Sequence, residues 1–393
     1  MTERDWASLE RGLLHDIFTR LPADADVDSF RHVCHHWRVA AVAGAPVSRP
    51  WFVLSRPSVN GTVATHAYIQ PAQRHGRSRI RAIHKEDVTT IKEEWAPSQG
   101  SSRGWVAVSE GENNLLLRDP ISRVEVPLPP IDPVCQLFSI FLSDDPLDAP
   151  TEFTAFGFFK RTDSPYQRHL LAFCRSSDGE WTRIDADADE PEQIWYFQGL
   201  EFFRGRAYVL LRNYSVAVVD VDARRLVLST VNLSYPCHNL LYTQESLVEA
   251  DGDLLFVQVR QTFVEKASRS PCCIRRSYDL KFLATVTKIE LDADGMPVQL
   301  SDIVEIGDYA YFLGGQGHAF ALRACGFPAI KAECVYHFST YCTTSVPRMI
   351  VSDLLQQPQR HEIVRKFPLA GPRRPVSWFC PRRPILNTTM KRR

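Results

Sequence analysis

Several short groups of polar residues have types and spacings that could support chemistry. The alternating run Asp185, Asp187 and Asp189 resembles the start of a calcium-binding loop, whose carboxylate oxygens suit a hard cation. The sixth and twelfth positions of such a loop require glycine and glutamate, but here they are Glu190 and Tyr196. We therefore interpret this acidic run as a solvated loop and expect no calcium site there.

Two pairs of side chains could bind a metal or act as nucleophiles. His32 and His36 are one helical turn apart and could share a metal ion, but a metal site also needs further ligands. The neighbouring thiols Cys272 and Cys273 lie among arginines that could lower a thiol pKa, but no resolving cysteine or catalytic histidine accompanies them. The ten cysteines contain no Cys-x-x-Cys pair, so we expect reduced, mostly buried thiols and no metal.

Signatures of hydrolase and nucleotide chemistry are missing from the sequence. It contains no G-x-S-x-G elbow, no HExxH pair and no G-x-x-x-x-G-K-[ST] loop. The run Gly314-Gly315-Gln316-Gly317 resembles a phosphate-cradling loop, but it follows a strand-like segment and no helical pattern comes after it. We interpret this run as a turn between strands, and we expect no catalytic residue and no cofactor.

The composition indicates a globular protein without a strong overall charge. The 46 Lys and Arg residues balance 46 Asp and Glu residues, whereas attraction to nucleic acid or an anionic membrane needs a large field of one sign. No apolar run approaches the ~20 residues of a membrane span, and the charged N-terminus lacks the apolar core of a signal peptide. We expect a cytoplasmic or nuclear protein, and the basic end Lys391-Arg392-Arg393 is a weak candidate for an import signal.

Residues 6–43 have the apolar spacing of short helices. The 3.6-residue period predicts one wide apolar face, which consists of Leu13, Leu14, Ile17, Phe18 and Leu21. Pro22 ends this helix because it cannot donate the backbone hydrogen bond, and a second apolar stripe follows up to Val42. Fewer than 45 residues cannot bury a large core, so we expect this segment to keep apolar surface for a partner.

The pattern LL..IF.RLP, followed by D..FR.VC..WR.A, resembles an F-box over about thirty positions. The resemblance implies a small three-helix domain that docks on the Skp-type adaptor of a cullin ubiquitin ligase. One departure is Leu9-Glu10, where the family usually has Leu-Pro. The resemblance implies these adaptor-facing residues: Leu9, Leu13, Leu14, Ile17, Phe18, Leu21, Pro22, Phe30, Val33 and Trp37. The alternative is a helical hairpin that packs on the following domain.

After residue 50 the sequence changes to short β-rich runs divided by turn residues. Residues 105–108 should face 115–117, and residues 247–249 should face 254–259 across Asp251-Gly252-Asp253. The turn after 286–291 contains Asp294-Gly295, and residues 207–211 precede a further run at 215–219. Consecutive hairpins without intervening helices predict antiparallel sheet, arranged as stacked sandwiches or as a propeller. The turn glycines Gly205, Gly252 and Gly295 are 47 and 43 residues apart, which is close to the length of a propeller blade.

Several stretches of this region resemble the C-terminal domain of a large plant F-box family, described as a KIB-type β-propeller. They include LLLRDPISRVEVPLPP at 115–130, FFRGRAYVLL at 202–211, SLVEADGDLLFV at 246–257, IGDYAYFLGG at 306–315 and SWFCP at 377–381. The resemblance implies a multidomain protein in which a small all-α F-box precedes an all-β antiparallel propeller. The predicted domains are an F-box at 1–45, a propeller at 46–385 and a basic tail at 386–393.

These observations predict a non-catalytic substrate-recognition subunit of a Skp–cullin–F-box ubiquitin ligase. In this hypothesis the F-box binds the adaptor, and through it a cullin, while the propeller captures an unknown target protein. Holding the target near a loaded conjugating enzyme raises the effective concentration of its acceptor lysine, so the receptor needs no catalytic group. Two alternatives are a binding module outside any ligase and a carbohydrate-binding propeller. The second would be indicated by paired carboxylates about 5 to 10 Å apart in the mouth of the propeller.

Overall fold

A computed structural model of the chain describes residues 6–19, 30, 33–40, 51–57, 64–69, 89–92, 101–110, 114–119, 124–147, 149–163, 169–184, 196–212, 215–233, 242–265, 278–303, 307–324, 330–339, 348–356, 359–366 and 374–379. The predicted linker at 44–50, the acidic run at 185–190, Cys272 and Cys273, and the basic tail lie outside these ranges. The same holds for His32, Leu21 and Pro22.

The N-terminal helical module comprises the described residues from Trp6 to Ala40. It contains a 3₁₀ turn at Trp6–Ser8 and two α-helices, α1 at Arg11–Thr19 and α2 at His35–Ala40. Helix α1 begins where the Leu14 N–H donates to the Glu10 carbonyl over 3.0 Å, so Glu10 occupies the N-cap position. A small core of Leu14, Phe18, Phe30 and Ala40 holds the two helices together.

The remaining described residues are almost entirely β-strands. Their bounds are β1 Trp51–Pro57, β2 Ala64–Ile69, β3 Thr89–Lys92, β4 Ser101–Ser102, β5 Trp105–Glu110, β6 Asn114–Arg118, β7 Glu125–Leu128, β8 Cys135–Leu142, β9 Thr154–Arg161, β10 His169–Arg175, β11 Thr182–Ile184, β12 Phe197–Phe203, β13 Arg206–Leu211, β14 Ser215–Asp220, β15 Arg225–Asn232, β16 Tyr242–Ala250, β17 Asp253–Glu265, β18 Tyr278–Leu291, β19 Pro297–Asp302, β20 Tyr309–Leu313, β21 Ala319–Arg323, β22 Cys334–Ser339, β23 Arg348–Asp353, β24 His361–Lys366 and β25 Arg374–Phe379.

These strands form five four-stranded sheets and one five-stranded sheet. We number them I to VI, with strand orders β25-β1-β2-β3 (I), β4-β5-β6-β7 (II), β8-β9-β10-β11 (III), β12-β13-β14-β15 (IV), β16-β17-β18-β19 (V) and β21-β20-β22-β23-β24 (VI). In sheets II to V the strands follow chain order from one edge to the other, as in propeller blades.

Sheets III to VI pack their two faces against different neighbours. In β14, for example, Ala217 and Val219 contact sheet III while Val216 and Val218 contact sheet V, because successive side chains point to opposite faces. Burial of both faces explains why strands such as VAVVD are continuous apolar runs. The apolar layers include Trp105, Leu117 and Leu137 (II and III), Phe158 and Val209 (III and IV), Tyr208 and Phe256 (IV and V), Val257 and Tyr311 (V and VI), and Phe312 and Trp378 (VI and I).

The last strand closes the ring. Strand β25 pairs with β1 in sheet I, with Phe52 opposite Trp378, and it also contacts β4 of sheet II. The buried Trp378 ring lies 5.0 Å from Phe312 and 4.9 Å from Phe338, both of sheet VI. The two ends of the β region therefore share one sheet, and the described strands form an all-β propeller.

The predicted hairpins are present in the structure. Val108 pairs with Leu116, and Leu247 pairs with Phe256, so both predicted antiparallel pairs have the expected partners. The turn between β16 and β17 places Asp251 at φ 54° and Gly252 at φ 79°. A two-residue turn with two positive φ values matches the twist of the flanking strands, which is why Asp-Gly predicts it.

Two details differ from the sequence-based expectation. Gly205 and Gly252 occupy equivalent turns of sheets IV and V. Gly295 lies in the β18–β19 turn, which belongs to the same sheet as Gly252, so the distance of 43 residues between Gly252 and Gly295 is not the length of a blade. Sheet VI also contains a parallel pair, β20 with β22. The hairpin partner of β20, strand β21, takes the inner edge of the sheet, so the next strand pairs on the other side of β20.

Candidate interaction surfaces

The structure divides the apolar residues of the helical module into a buried and an exposed set. Leu14, Phe18 and Phe30 belong to the core, and the ring centroids of Phe18 and Phe30 lie 5.4 Å apart. Leu9 and Trp37 are half-buried and pack against this core, with the Trp37 ring centroid 4.6 Å from that of Phe30. These five predicted adaptor-facing residues therefore also hold the module together.

A second set of large apolar side chains in the module points to solvent. The exposed fractions are 59% for Trp6, 51% for Leu13, 37% for Ile17 and 53% for Val33. Leu13 and Ile17 are four residues apart on α1 and therefore lie on the same face of the helix. We call Trp6, Leu13, Ile17 and Val33 the exposed apolar set. Three of its members are among the residues predicted to contact an adaptor, whereas Trp6 was not in that group.

Two side-chain hydrogen bonds attach α2 to the start of the module. The Nε1–H of Trp37 donates to the Trp6 carbonyl over 2.8 Å, and Nε2 of His36 lies 2.7 Å from the Leu9 carbonyl. A carbonyl oxygen only accepts, so Nε2 of His36 carries the proton in this pair. His36 thus has a hydrogen-bond partner within the module.

The glycine run predicted to be a turn connects β20 and β21 and reaches the centre of the propeller. It contains a 3₁₀ turn at Gly315–Gly317, and the Gly314 carbonyl accepts a hydrogen bond of 2.6 Å from Gln244 of sheet V. A Cβ atom on Gly317 would lie 1.7 Å from the carbonyl oxygen of Gln198 in sheet IV, and the φ of Gly317 is +77°. Only glycine fits this backbone contact.

The residue after this turn spans the propeller axis. His318 belongs to the inner hairpin of sheet VI, yet its Nε2 lies 2.6 Å from Oγ of Ser139 in sheet III, on the opposite side of the ring. The His318 ring also stacks on Phe141, with centroids 4.4 Å apart and planes at 16°. His318 and Ser139 are both buried. At this level the Ser139–His318 contact joins sheets III and VI across the ring.

Residues in three of the inner hairpin turns connect neighbouring sheets. Arg103 in the β4–β5 turn donates through Nε to the Leu142 carbonyl of sheet III over 2.9 Å. Arg204 in the β12–β13 turn lies 3.4 Å from the Gly252 carbonyl of sheet V, and Asp251 accepts from Arg323 of sheet VI over 2.7 Å. These three turn residues have positive φ, a conformation that is costly for residues other than glycine, and the contacts between sheets compensate for it.

A cleft of about 750 Å³ opens beside these turns, between sheets III and IV. Its apolar lining includes Phe156, Phe202 and Val219. Its polar lining includes Arg103 of sheet II, Asp144 and Glu152 of the β8–β9 connection, and Arg204 and Arg206 of the β12–β13 hairpin. Sequence reasoning missed this cleft because its walls come from segments that are distant in the chain. The FFRGRA stretch was noticed, but as part of the resemblance to the KIB-type family.

Glu201 lies next to Phe202 on β12. Burial of its carboxyl group raises its pKa to about 8, although the Arg103 charge and a hydrogen bond from the Phe202 N–H act in the opposite direction. At neutral pH this side chain is therefore mostly protonated, and it does not neutralise the guanidinium of Arg103.

Ser352 lies between two histidines in sheet VI. Its Oγ is 3.0 Å from Nε2 of His337 and 3.0 Å from Nδ1 of His361. Burial lowers the pKa of His337 to about 3 and also lowers that of His361. Ser352 has no exposed surface, so a substrate cannot reach this hydroxyl group, and the three side chains connect neighbouring strands of the sheet.

The cysteines in the described ranges are free thiols. Cys174 and Cys334 are buried, and burial raises their pKa values to about 12 and about 11. Cys34 and Cys135 are half-buried. Within the described ranges no group of three or more His, Cys, Asp and Glu side chains could hold a metal ion. In that same part of the chain, none of the helices is long and apolar enough to cross a membrane.

The ring of sheets, the inner turns that join them and the closing strand define a β-propeller protein. The KIB1-4 beta-propeller family matches residues 82–363, and the chain belongs to this family. A comparison with curated proteins finds no match.

Solved structures similar to this chain include two GH43 proteins and a secretion-system component. GH43 BlXynB of Bacillus licheniformis is 9% identical with a TM-score of 0.24, over 49% of this chain and 52% of its own. Xyloglucan PUL GH43B of Bacteroides ovatus is 8% identical with a TM-score of 0.26, over 64% and 67%. PorZ of the type-IX secretion system of Porphyromonas gingivalis is 11% identical with a TM-score of 0.24, over 71% and 39%. The matched region spans about half of the first structure, and these similarities carry no argument about function.

Proposed function

We propose that this chain is a substrate-recognition subunit of a Skp–cullin–F-box ubiquitin ligase. In this proposal the helical module is an F-box that binds a Skp-type adaptor, and through it a cullin. The propeller binds the target protein, and the chain contributes position rather than acid–base or nucleophilic chemistry.

The distribution of exposed apolar side chains carries this proposal. Nine large apolar side chains are exposed in the described part of the chain, and four of them lie in the helical module. The other five are spread over the much larger propeller. A concentration of exposed apolar surface on a small element is typical of a site that another protein covers.

The buried set of the module explains how so small an element can present this surface. Leu14, Phe18 and Phe30 form its core, while Leu13 and Ile17 lie on the outer face of the same helix. The contact of Trp37 with Phe30 and its hydrogen bond to the Trp6 carbonyl fix the exposed Trp6 beside α2. A partner would therefore meet apolar groups that are already held in place, which lowers the entropic cost of binding.

Reconstitution with purified proteins tests this proposal. The full-length chain is mixed with a plant Skp-type adaptor and a cullin and separated by size-exclusion chromatography. We expect the chain, the adaptor and the cullin to elute together, and we expect the Leu13→Asp/Ile17→Asp variant to elute alone. The matched control is Leu283→Asp, which changes an exposed leucine of sheet V and should leave the complex intact. Separate elution of the unaltered chain would refute the ligase assignment.

A further inference from the structure

The cleft between sheets III and IV has charged groups of opposite sign on its two sides. Asp144 and Glu152 line it from the sheet III connection, and Arg204 and Arg206 line it from the sheet IV hairpin. All four residues are exposed. Within the described residues no salt bridge joins either acid to either arginine.

Both arginines are fixed by groups that leave their charge unneutralised. Arg206 donates to the carbonyl of Asp294, and Arg204 lies near the Gly252 carbonyl with its guanidinium 4.8 Å from the centre of the Phe203 ring. Backbone carbonyls and an aromatic ring orient a guanidinium but carry no net charge. The third acid of the lining, Asp220, accepts a hydrogen bond of 2.9 Å from the Ala223 N–H and forms an ion pair with Arg225 at 3.9 Å.

Apolar side chains also contribute to the lining of the cleft. Phe202 is half-buried, whereas Phe156 and Val219 belong to the core layer between the sheets. A cleft of about 750 Å³ has room for a few residues of an extended chain. The cleft lies beside the β4–β5 and β12–β13 turns, because residues of both turns line it.

We propose that the cleft between sheets III and IV binds an extended segment of the target protein in which an acidic and a basic residue flank an apolar residue. The acidic residue lies towards Arg204 and Arg206, the basic residue lies towards Asp144 and Glu152, and the apolar side chain rests on Phe202. This inference rests on the proposed function, because it names where the propeller captures its target.

Fluorescein-labelled model peptides test the charge pattern on the full-length chain. The mixed probe is Gly-Glu-Gly-Phe-Gly-Lys-Gly, and its controls have two glutamates, two lysines or a glycine in place of phenylalanine. Fluorescence anisotropy should give the mixed probe an affinity about tenfold above each control, which corresponds to about 1.4 kcal/mol. Absence of binding by the mixed probe at about 1 mM, or equal binding of all four peptides, would overturn the proposal.

Charge reversal locates the site and separates it from other surfaces. Arg204→Glu should shift the preference from the mixed to the double-lysine peptide, and Asp144→Lys/Glu152→Lys should shift it to the double-glutamate peptide. Arg224→Glu reverses an arginine in the neighbouring β14–β15 turn that does not line the cleft, and should change nothing. Unchanged preferences in both cleft variants would place the peptide elsewhere. Adaptor binding by the same variants, measured in parallel, reports on the ligase assignment independently.

Discussion

The helical module and the propeller differ in how much of their apolar surface is buried. In the propeller, apolar layers lie between neighbouring sheets from sheet II to sheet VI, and β25 of sheet I packs on sheet VI. The module has four buried apolar side chains in its core and leaves four large ones exposed. A closed ring can cover its own apolar surface, whereas a small helical element keeps part of it exposed. Under the proposed function, binding of an adaptor covers this exposed part of the module.

The substitution Gly317→Ala tests how closely the sheets of the propeller pack at its centre. The new Cβ would overlap the carbonyl oxygen of Gln198 and force the turn away from sheet IV, so we expect a loss of about 3 kcal/mol or more in unfolding free energy. Gly205→Ala is the matched control, since it has a similar positive φ of +75° but nothing within 4 Å of the added atom, and it should cost about 1 to 2 kcal/mol. Denaturant titration of both variants measures the difference. Equal losses would show that the turn at the axis is not tightly packed.

Substitutions of two neighbouring leucines in α1 test which apolar side chains of the helical module are buried. Leu14→Ala removes a fully buried side chain and should destabilise the module by about 2 to 5 kcal/mol, whereas Leu13→Ala should change its stability by less than about 0.5 kcal/mol. Limited proteolysis of residues 6–40 in the full-length chain reports on the module without interference from the propeller. The structure would be contradicted if Leu13→Ala proved as sensitive to cleavage as Leu14→Ala.

Glu201 should make the stability of the propeller depend on pH. Its pKa is about 8 in the folded chain and near 4.3 when unfolded, so between these values the folded state holds a proton that the unfolded state has released. Folding stability due to Glu201 is therefore greatest at low pH and falls as the pH rises towards 8. Glu201→Gln removes this dependence and should gain up to a few kcal/mol at pH 8, with little difference below pH 4. Melting curves of both proteins across this range would show an increasing gap. A constant gap would contradict the buried carboxyl group.

The smallest predicted effect concerns Glu10, which replaces the proline usual in the F-box family and lies at the N-cap of α1. Proline there keeps the carbonyl that accepts from Leu14, so α1 should be preserved, while a compact apolar ring replaces a charged side chain. We expect Glu10→Pro to strengthen adaptor binding about fivefold, or about 1 kcal/mol, mainly through slower dissociation. Calorimetric titration measures the change. Equal affinities would place Glu10 outside the contact.

Local features of the fold could be predicted from the sequence, but long-range contacts could not. The β16–β17 hairpin was predictable because Asp251-Gly252 has the conformational preferences that its turn requires. The contact of Gly317 with Gln198 joins residues more than a hundred positions apart, and no local pattern indicates it. In sheet VI, β21 lies at one edge and β22 pairs on the other side of β20. No local pattern indicates this order either.

The same limit applies to the candidate sites. The helical period identified Leu13 and Leu14 as members of one apolar face, but two adjacent leucines give no indication of which one is covered by Phe18 and Phe30. The cleft was not predictable because Asp144 and Glu152 line the same cleft as Arg204 and Arg206 only after sheets III and IV have packed together. The predicted domain bounds at 1–45, 46–385 and 386–393 remain predictions.

Hydrogen exchange of the full-length chain with and without a saturating Skp-type adaptor tests whether the module binds the adaptor while the propeller stays free for a target. Exchange reports on opening of each segment, and a partner that binds the folded module slows exchange there. We expect slower exchange in peptides from residues 6–40 and unchanged exchange in sheets II to V. Unchanged exchange in the module, or protection confined to the inner turns of the propeller, would contradict the proposed division between adaptor binding and target capture.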